Sequence, residues 1–439
     1  MNYLETLKQK KVTVLGLGIS GLGTVRFLLQ QGIFPKVVDT RPVPPGADWL
    51  AHNAPECEAV FGPLAEGALI DTDIIIISPG IPLYDRYVVE AIAHGAEVVG
   101  DIEVFARLNT APVVAVTGSN GKSTVVSLAE TVCQSAGLKV GLGGNIGTSV
   151  LDLLDQDLDI VILELSSFQL ETTQNLKCRS AMILNITEDH MDRYPDFEAY
   201  CAAKKRIYQK TDLLVFNADD EKTHQAHRHS VGVGLHKADY CIATTEQGDF
   251  FSINGKHVFT VDSLKLSGKH NQFNALAVMA LLSPFTITKQ AYQDAFSRFG
   301  GLSHRCQLIA EVAGVKYFND SKATNVGATV TALESLQAEA QKIILILGGD
   351  AKGADVSPLA APIQSYCRAI YCFGKDAALF SSMHTHSHLV GSLKDAVIGA
   401  SQQAQAGDIV LLAPACASID MYPNYMARGD EFCKWVGEL

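Results

Sequence analysis

Pro112-Val113-Val114-Ala115-Val116-Thr117-Gly118-Ser119-Asn120-Gly121-Lys122-Ser123-Thr124 reads as a buried strand, a glycine-rich turn, and the start of a helix that ends near Gly137. β-branched apolar residues suit a strand covered on both faces. The turn can wrap phosphates with backbone N–H groups, while Lys122 neutralises developing charge and Ser123 or Thr124 offers a hydroxyl to Mg²⁺. Val116 stands where the usual phosphate-loop pattern has its first glycine. A mere capping turn with a solvated lysine explains poorly why the segment lies between a strand and a helix. The stretch predicts an α/β domain that uses ATP.

The same alternation of short apolar strands and amphipathic stretches extends in both directions, which predicts parallel sheets. Towards the N-terminus come Lys11–Leu15, a helical Gly21–Gln31, Val37–Asp39 and a strand Asp73–Ser78 broken by Pro79-Gly80. Towards the C-terminus, Asp159–Leu165 and Ser180–Ile186 continue the central sheet, a polar alternating stretch at 231–262 predicts a small antiparallel patch, and Asn271–Leu282 a helix. Strands near Lys316–Phe318, Ile343–Leu347, Ala369–Phe373 and Ile409–Ala413 define a third unit.

The chain has 439 residues and a formal net charge of −12. A broad polyanion-binding surface is excluded, so nucleic acid is not an expected partner. Apolar runs such as Ile74–Ile77 are far too short to span a bilayer. The 10 cysteines include no Cys-x-x-Cys pair, which fits reduced thiols in a soluble cytoplasmic enzyme.

Other motifs follow strands. Gly16-Leu17-Gly18-Ile19-Ser20-Gly21 is a GxGxxG between a strand and a helix, and Asp39 ends the next strand. This suits an NAD-type dehydrogenase no better than a Rossmann-like turn that binds another nucleotide or merely packs. Glu164 ends a buried strand, where a carboxylate is costly unless it meets a cation or a donor. His190, in Thr187-Glu188-Asp189-His190-Met191-Asp192, sits beside another strand end and suits contact with Mg²⁺ or phosphate. Lys204 cannot be told from Lys205 by composition. Asn319-Asp320-Ser321-Lys322-Ala323-Thr324-Asn325 and Gly348-Gly349-Asp350-Ala351-Lys352-Gly353 are polar loops whose lysines suit a carboxylate or phosphate. Pro414-Ala415-Cys416-Ala417-Ser418 could form a small-residue anion pocket.

Together these stretches resemble the Mur ligase family of ATP-dependent amide-forming enzymes, from residue 10 to the C-terminus. The resemblance implies three α/β domains: residues 1–100, Rossmann-like, for a UDP-sugar; 101–302, a phosphate-loop ATPase-type parallel sheet with a small antiparallel patch; and 303–439, Rossmann-like, for an amino acid. It gives ATP contacts to Gly118, Ser119, Asn120, Gly121, Lys122, Ser123, Thr124, Asn271, Asn274, Arg305 and Asp320. Catalytic roles fall to Lys122, His190 and Lys204, and metal ligation to Ser123, Glu164, His190 and Lys204, the last as a carbamate. Two Mg²⁺ ions are implied.

Within the family the likeness is to the branch that adds D-glutamate to UDP-N-acetylmuramoyl-L-alanine through an acyl phosphate and a tetrahedral intermediate. The UDP-substrate would then meet Ile19, Ser20, Asp39, Thr40, Arg41, Ser78, Gly80, Asn145, Ser166 and Gln169. D-glutamate would meet Lys322, Thr324, Lys352, Ser418 and Tyr425, the last standing where the branch commonly has Phe. A cytoplasmic monomer working in peptidoglycan synthesis is implied, with a hinge near Gly301–Arg305. Competing readings are a sister ligase adding L-alanine, a folylpolyglutamate synthetase, an NAD-dependent dehydrogenase and a non-catalytic nucleotide sensor.

Overall fold

Three sheets carry the chain in a computed structural model that describes residues 3–266, 268–337 and 339–439. The first holds β1 (Val12–Leu15), β2 (Lys36–Asp39), β3 (Ala59–Phe61), β4 (Ile74–Ile77) and β5 (Glu97–Val99), all parallel in the order β3-β2-β1-β4-β5. The four isoleucines of β4 are 0–3% exposed. A continuous apolar run buried on both faces is what a parallel strand requires.

The second sheet holds β6 (Val113–Thr117), β7 (Val140–Gly144), β8 (Ile160–Glu164), β9 (Cys178–Ile183), β10 (Thr211–Asn217), β11 (Ser230–Val233), β12 (Tyr240–Thr245), β13 (Gly248–Ile253) and β14 (Lys256–Thr260). Its order is β14-β13-β12-β11-β10-β9-β6-β8-β7. Antiparallel pairing is confined to β12-β13-β14; β11 pairs parallel with both neighbours, so the expected antiparallel patch begins at Tyr240 and not near 231. Helix Lys122–Ser135 buries Val125, Val126, Leu128, Ala129 and Val132.

The third sheet holds β15 (Gln307–Val312), β16 (Val315–Asn319), β17 (Ile343–Gly348), β18 (Cys367–Phe373), β19 (Ser387–Leu389) and β20 (Ile409–Leu412), in the order β15-β16-β20-β17-β18-β19. Only β15 is antiparallel. Leu345, Leu347, Ile370 and Leu411 pack one face of this sheet, and Ile344, Ile346, Val410 and Leu412 the other.

Contacts divide the chain into two compact units: Met1–Ile186 with Glu198–Thr260 and Ala275–Phe296, and Thr187–Phe197 with Val261–Asn274 and Ser297–Leu439. The first two sheets therefore belong to one unit. Arg26 pairs with Asp152 at 3.0 Å, and the buried Glu103 accepts from the amides of Gln174 and Asn175 at 2.7 and 2.9 Å. The expected helices at 21–31 and 271–282 are found at Ile19–Gln30 and Lys269–Leu281.

Each sheet reverses its strand order at one central strand: β1, β6 and β20. In open α/β sheets ligands bind beyond the strand ends at such switch points. The loops picked out in the sequence follow these strands or their neighbours.

Candidate functional site

At the β1 switch point, Gly21 sits so close to the preceding turn that a Cβ on it would lie 1.8 Å from the Gly16 carbonyl oxygen. The Ser78 hydroxyl donates to that same oxygen at 2.9 Å and ties the loop after β4 to the loop after β1. Asp39 is 2% exposed; it accepts from the Leu17 amide at 2.7 Å and from Arg41 through Nε and Nη2 at 2.9 and 2.7 Å. Burial alone would raise the Asp39 carboxyl, but these donors hold it below the usual carboxylate range. Asp39 thus fixes the glycine turn and aims Arg41, while Ile19, at 88% exposed, stands open at the start of helix Ile19–Gln30. Thr40 and Gly80 lie on the same loops. Asp101, buried at the start of helix Asp101–Leu108, has its carboxyl pushed up to about 6 by burial, against a hydrogen bond from Ser20.

The β6 switch point holds the phosphate loop. Gly118 and Gly121 have φ of +151° and +83°, which glycine adopts without strain. Asn185, after β9, clamps the turn: its carbonyl accepts from the Ser119 amide at 2.9 Å and its side chain from the Asn120 amide at 2.8 Å. Lys122 Nζ donates to the carbonyls of Gly118 and Ser119 at 2.8 and 2.9 Å, and Lys204 Nζ, on a residue 2% exposed, donates to Gly118 at 3.0 Å. Two ammonium groups therefore share one carbonyl beside a ring of backbone amides.

Glu164, 2% exposed, accepts from Ser123 Oγ at 2.5 Å and from Asn145 Nδ2 at 2.7 Å. Ser166 and Gln169 form a reciprocal capping box on helix Ser167–Glu171. One unit thus gathers Gly118–Thr124, Asn145, Glu164, Ser166, Gln169 and Lys204 with the first-sheet residues.

The remaining site residues lie in the second unit. Asn274 Nδ2 donates to Asn271 Oδ1 at 3.2 Å on one helix face. Asp320 follows β16, and desolvation pushes its carboxyl up to about 6 despite the Cys306 amide and the nearby Arg305 charge. Lys322 lies 4.1 Å from the Tyr425 ring centre, and the Asn325 side chain caps helix Val326–Leu336 just after Thr324. Lys352, at φ +53°, donates its amide to Asp350 Oδ1 at 2.9 Å and its Nζ to Asp189 Oδ1 at 3.0 Å. Asp350 and Ala417 exchange backbone bonds at 3.0 and 2.8 Å, joining the Lys352 loop to Ser418. Tyr425 opens helix Tyr425–Val436, where backbone N–H groups lack partners within the helix.

Among the described residues seven non-glycine residues have positive φ, and five of them (His190, His304, Cys306, Lys352 and Ala415) lie on or beside these loops. Such strain is characteristic of functional sites.

Several working residues went unassigned in the sequence. Asn185 clamps the phosphate loop, and Tyr200 Oη lies 3.1 Å from Ser119 Oγ. Arg428, 0% exposed, donates to Ser321 Oγ, the Ser321 carbonyl and the Cys416 carbonyl at 2.8–3.2 Å, and burial lowers its titration to about 10. A strand-end position could have flagged Asn185; the other two act across distances that no spacing reveals.

Fold and site define an α/β architecture of three mainly parallel sheets, with a glycine-rich phosphate-loop turn after a strand of one unit and lysine-bearing loops after strands of the other. Family models match in chain order: a Mur ligase MurD-like N-terminal domain at residues 10–100, a Mur ligase middle domain at 116–282 and a Mur ligase glutamate ligase domain at 304–416. A UDP-N-acetylmuramoylalanine–D-glutamate ligase of Pseudoalteromonas translucida is 54% identical, over 99% of both chains, and that of Pasteurella multocida 45%, over 97% of this chain and 98% of its own. The solved UDP-N-acetylmuramate–alanine ligase of Thermotoga maritima shares the fold at TM-score 0.63 and 17% identity, covering 98% of this chain and 99% of its own. The chain belongs to the Mur ligase family, in the branch of the UDP-N-acetylmuramoylalanine–D-glutamate ligases. It is an ATP-dependent ligase, and the dehydrogenase reading of Gly16–Gly21 is thereby set aside.

Proposed function

We propose that this chain joins D-glutamate to UDP-N-acetylmuramoyl-L-alanine at the expense of ATP, in the synthesis of peptidoglycan precursors. The carrying observation is the convergence of Lys122, Lys204, Ser123 and Glu164 on one phosphate-type loop. A carboxylate does not react with an amine until it gains a leaving group. Transfer of the γ-phosphoryl group gives an acyl phosphate; the D-glutamate amine attacks it, and the tetrahedral intermediate expels phosphate. Lys122 holds charge on the transferred group, and the loop amides orient it.

Magnesium is the metal this family uses, and the first unit offers it hard oxygen donors: the Ser123 hydroxyl and the buried Glu164 carboxylate. Among the described residues no cluster of three or more His, Cys, Asp or Glu could hold a metal ion. That fits Mg²⁺, which takes one or two carboxylates and completes its shell with phosphate and water. When bound, the ion screens phosphate repulsion. Ser123 and Glu164 would hold one ion; His190 and a carbamate on Lys204 would hold a second. Unmodified, Lys204 is a donor to Gly118, so its ligand role depends on carbamylation, which replaces the cation with anionic oxygens.

The UDP-sugar would use the β1 crevice with Asn145, Ser166 and Gln169; the adenine and ribose would use Asn271, Asn274, Arg305 and Asp320; D-glutamate would use Lys322, Thr324, Lys352, Ser418 and the Tyr425 amide. Domain limits of 1–100, 101–302 and 303–439 go with this assignment, as does a monomer acting in the cytoplasm. Among the described residues no helix is long and apolar enough to cross a membrane.

The test is ATP-dependent phosphate release with UDP-N-acetylmuramoyl-L-alanine, and separately with UDP-N-acetylmuramate, each offered D-glutamate, L-alanine and L-glutamate. Turnover with D-glutamate alone is expected. Turnover with UDP-N-acetylmuramate and L-alanine instead would assign the chain to the sister activity.

A further inference from the structure

We propose that Asp189 and Lys352 form two opposite poles for the amino-acid acceptor, with Lys352 receiving a carboxylate and Asp189 the α-ammonium group. The inference rests on the reading above, that the second unit binds D-glutamate, and adds the group that recognises its nitrogen.

Asp189 is 163 residues from Lys352 in sequence, yet its Oδ1 accepts from Lys352 Nζ at 3.0 Å. Its Oδ2 lies 3.3 Å from Asn325 Nδ2, so the carboxylate sits between the Thr324 loop and the Lys352 loop. Side-chain exposure is 11% for Asp189 and 20% for Lys352, so the pair is sheltered but not sealed from solvent. One of three ammonium N–H bonds of Lys352 is used this way, and among the described residues no other oxygen takes the remaining two.

The pair is not needed to close these loops. Arg428 already joins the Ser321 and Cys416 carbonyls, Asp350 is bridged to Ala417, and the Ala351 amide donates to Asp376 at 2.8 Å. A sheltered ion pair carries a desolvation cost that fold stability alone seldom recovers.

Chemistry supplies the reason for keeping it. A lone lysine would accept any carboxylate. An anion 3.0 Å from that lysine favours a ligand carrying a cation next to its carboxylate, which describes a zwitterionic amino acid. The nitrogen so held is the atom that must become the nucleophile, so the same contact that selects the acceptor also fixes its reacting end.

The experiment uses the full chain with UDP-N-acetylmuramoyl-L-alanine and a non-hydrolysable ATP analogue at one fixed pH. Calorimetry measures the binding of D-glutamate and of glutarate, which keeps both carboxylates and lacks the amine. The wild type is expected to prefer D-glutamate by about tenfold or more, the worth of one charge-assisted hydrogen bond. Asp189→Asn is expected to remove that preference by weakening D-glutamate while leaving glutarate within about threefold. Asp189→Glu, which keeps the charge, is expected to retain it, and guards against a folding defect of the amide variant.

Parallel losses for both ligands in Asp189→Asn would mean that Asp189 only steadies Lys352, and parallel gains would mean that it blocks the pocket; either overturns the assignment. Absence of D-glutamate binding in the wild type would instead overturn the D-glutamate reading and this inference with it.

Discussion

Single residues in this chain are tuned by the donors, acceptors and burial around them. Lys122 and Lys204 both donate to the Gly118 carbonyl, which places two cationic donors beside the amides of the glycine-rich turn, where a phosphate would be bound by charge-assisted hydrogen bonds. Lys122→Ala should keep the fold and lower turnover by about 10³-fold, the scale of losing a preorganised donor to transition-state charge. Phosphate release near the wild-type rate would remove Lys122 from the mechanism. Asp320 shows the opposite strain. Its folded carboxyl titrates near 6, above the ordinary 3.8, so the stability it contributes is complete below about pH 4 and is lost as pH rises through 6. Asp320→Asn should therefore stabilise the protein at pH 8 by about 1–3 kcal/mol, with little change at pH 4. Thermal unfolding at the two pH values checks this, and an equal shift at both would show that its ionisation is not the cause.

At the scale of elements, the loops after β16 and β20 are held by one side chain. Arg428 reaches both through carbonyl oxygens, and Ser321 passes the tie on by donating to the Tyr425 carbonyl at 2.8 Å. Arg428→Met should leave these carbonyls without donors, cost about 3–5 kcal/mol, and raise the D-glutamate KM far more than that for ATP. Unfolding curves and the two KM values separate the effects; an unchanged D-glutamate KM would reduce Arg428 to a core residue. No sequence pattern announces this role, because Ser321 is 107 positions away. The long apolar strands were legible for the reverse reason: Ile74–Ile77 and Ile343–Leu347 are buried on both faces, and burial writes itself into composition. Edge strands β3, β5 and β19 have only three residues each and are partly exposed, so neither length nor hydrophobicity marks them. The glycine- and lysine-bearing loops could be placed at strand ends from the sequence, whereas the contacts of Asp189 with Lys352 and of Asn185 with the glycine-rich turn arise only from tertiary partners.

At the scale of the molecule, a net charge of −12 is compatible with anionic substrates because Arg41, Lys122, Lys322 and Lys352 all stand on the loops, turns or helix start that follow strands, and a single buried anion joins the first two sheets. Glu103, 0% exposed on helix Asp101–Leu108, accepts from the amides of Gln174 and Asn175, from Asn175 Nδ2 at 2.6 Å and from Arg107 Nε at 2.7 Å. Burial alone would raise its carboxyl, but these donors outweigh it and hold the group below 4.5. The sign follows: the stability contributed by Glu103 is present above pH 4.5 and is lost as pH falls through the lower folded value. Glu103→Gln puts an N–H₂ group where donors already crowd, leaving at least one of them unpaired inside the unit. The cost should be about 3 kcal/mol or more at pH 7. Because three of the four bonds run from one sheet region to the other, the loss should also weaken their cooperation: calorimetry should resolve two transitions in this unit where the wild type gives one, and first-sheet amides should exchange faster. The gap between variant and wild type should then narrow as pH falls from the ordinary 4.5 through the lower folded value, where the native carboxylate itself takes up a proton. A variant that melts in one transition, at the wild-type temperature and with the wild-type pH profile, would show that apolar packing alone holds the two sheets together.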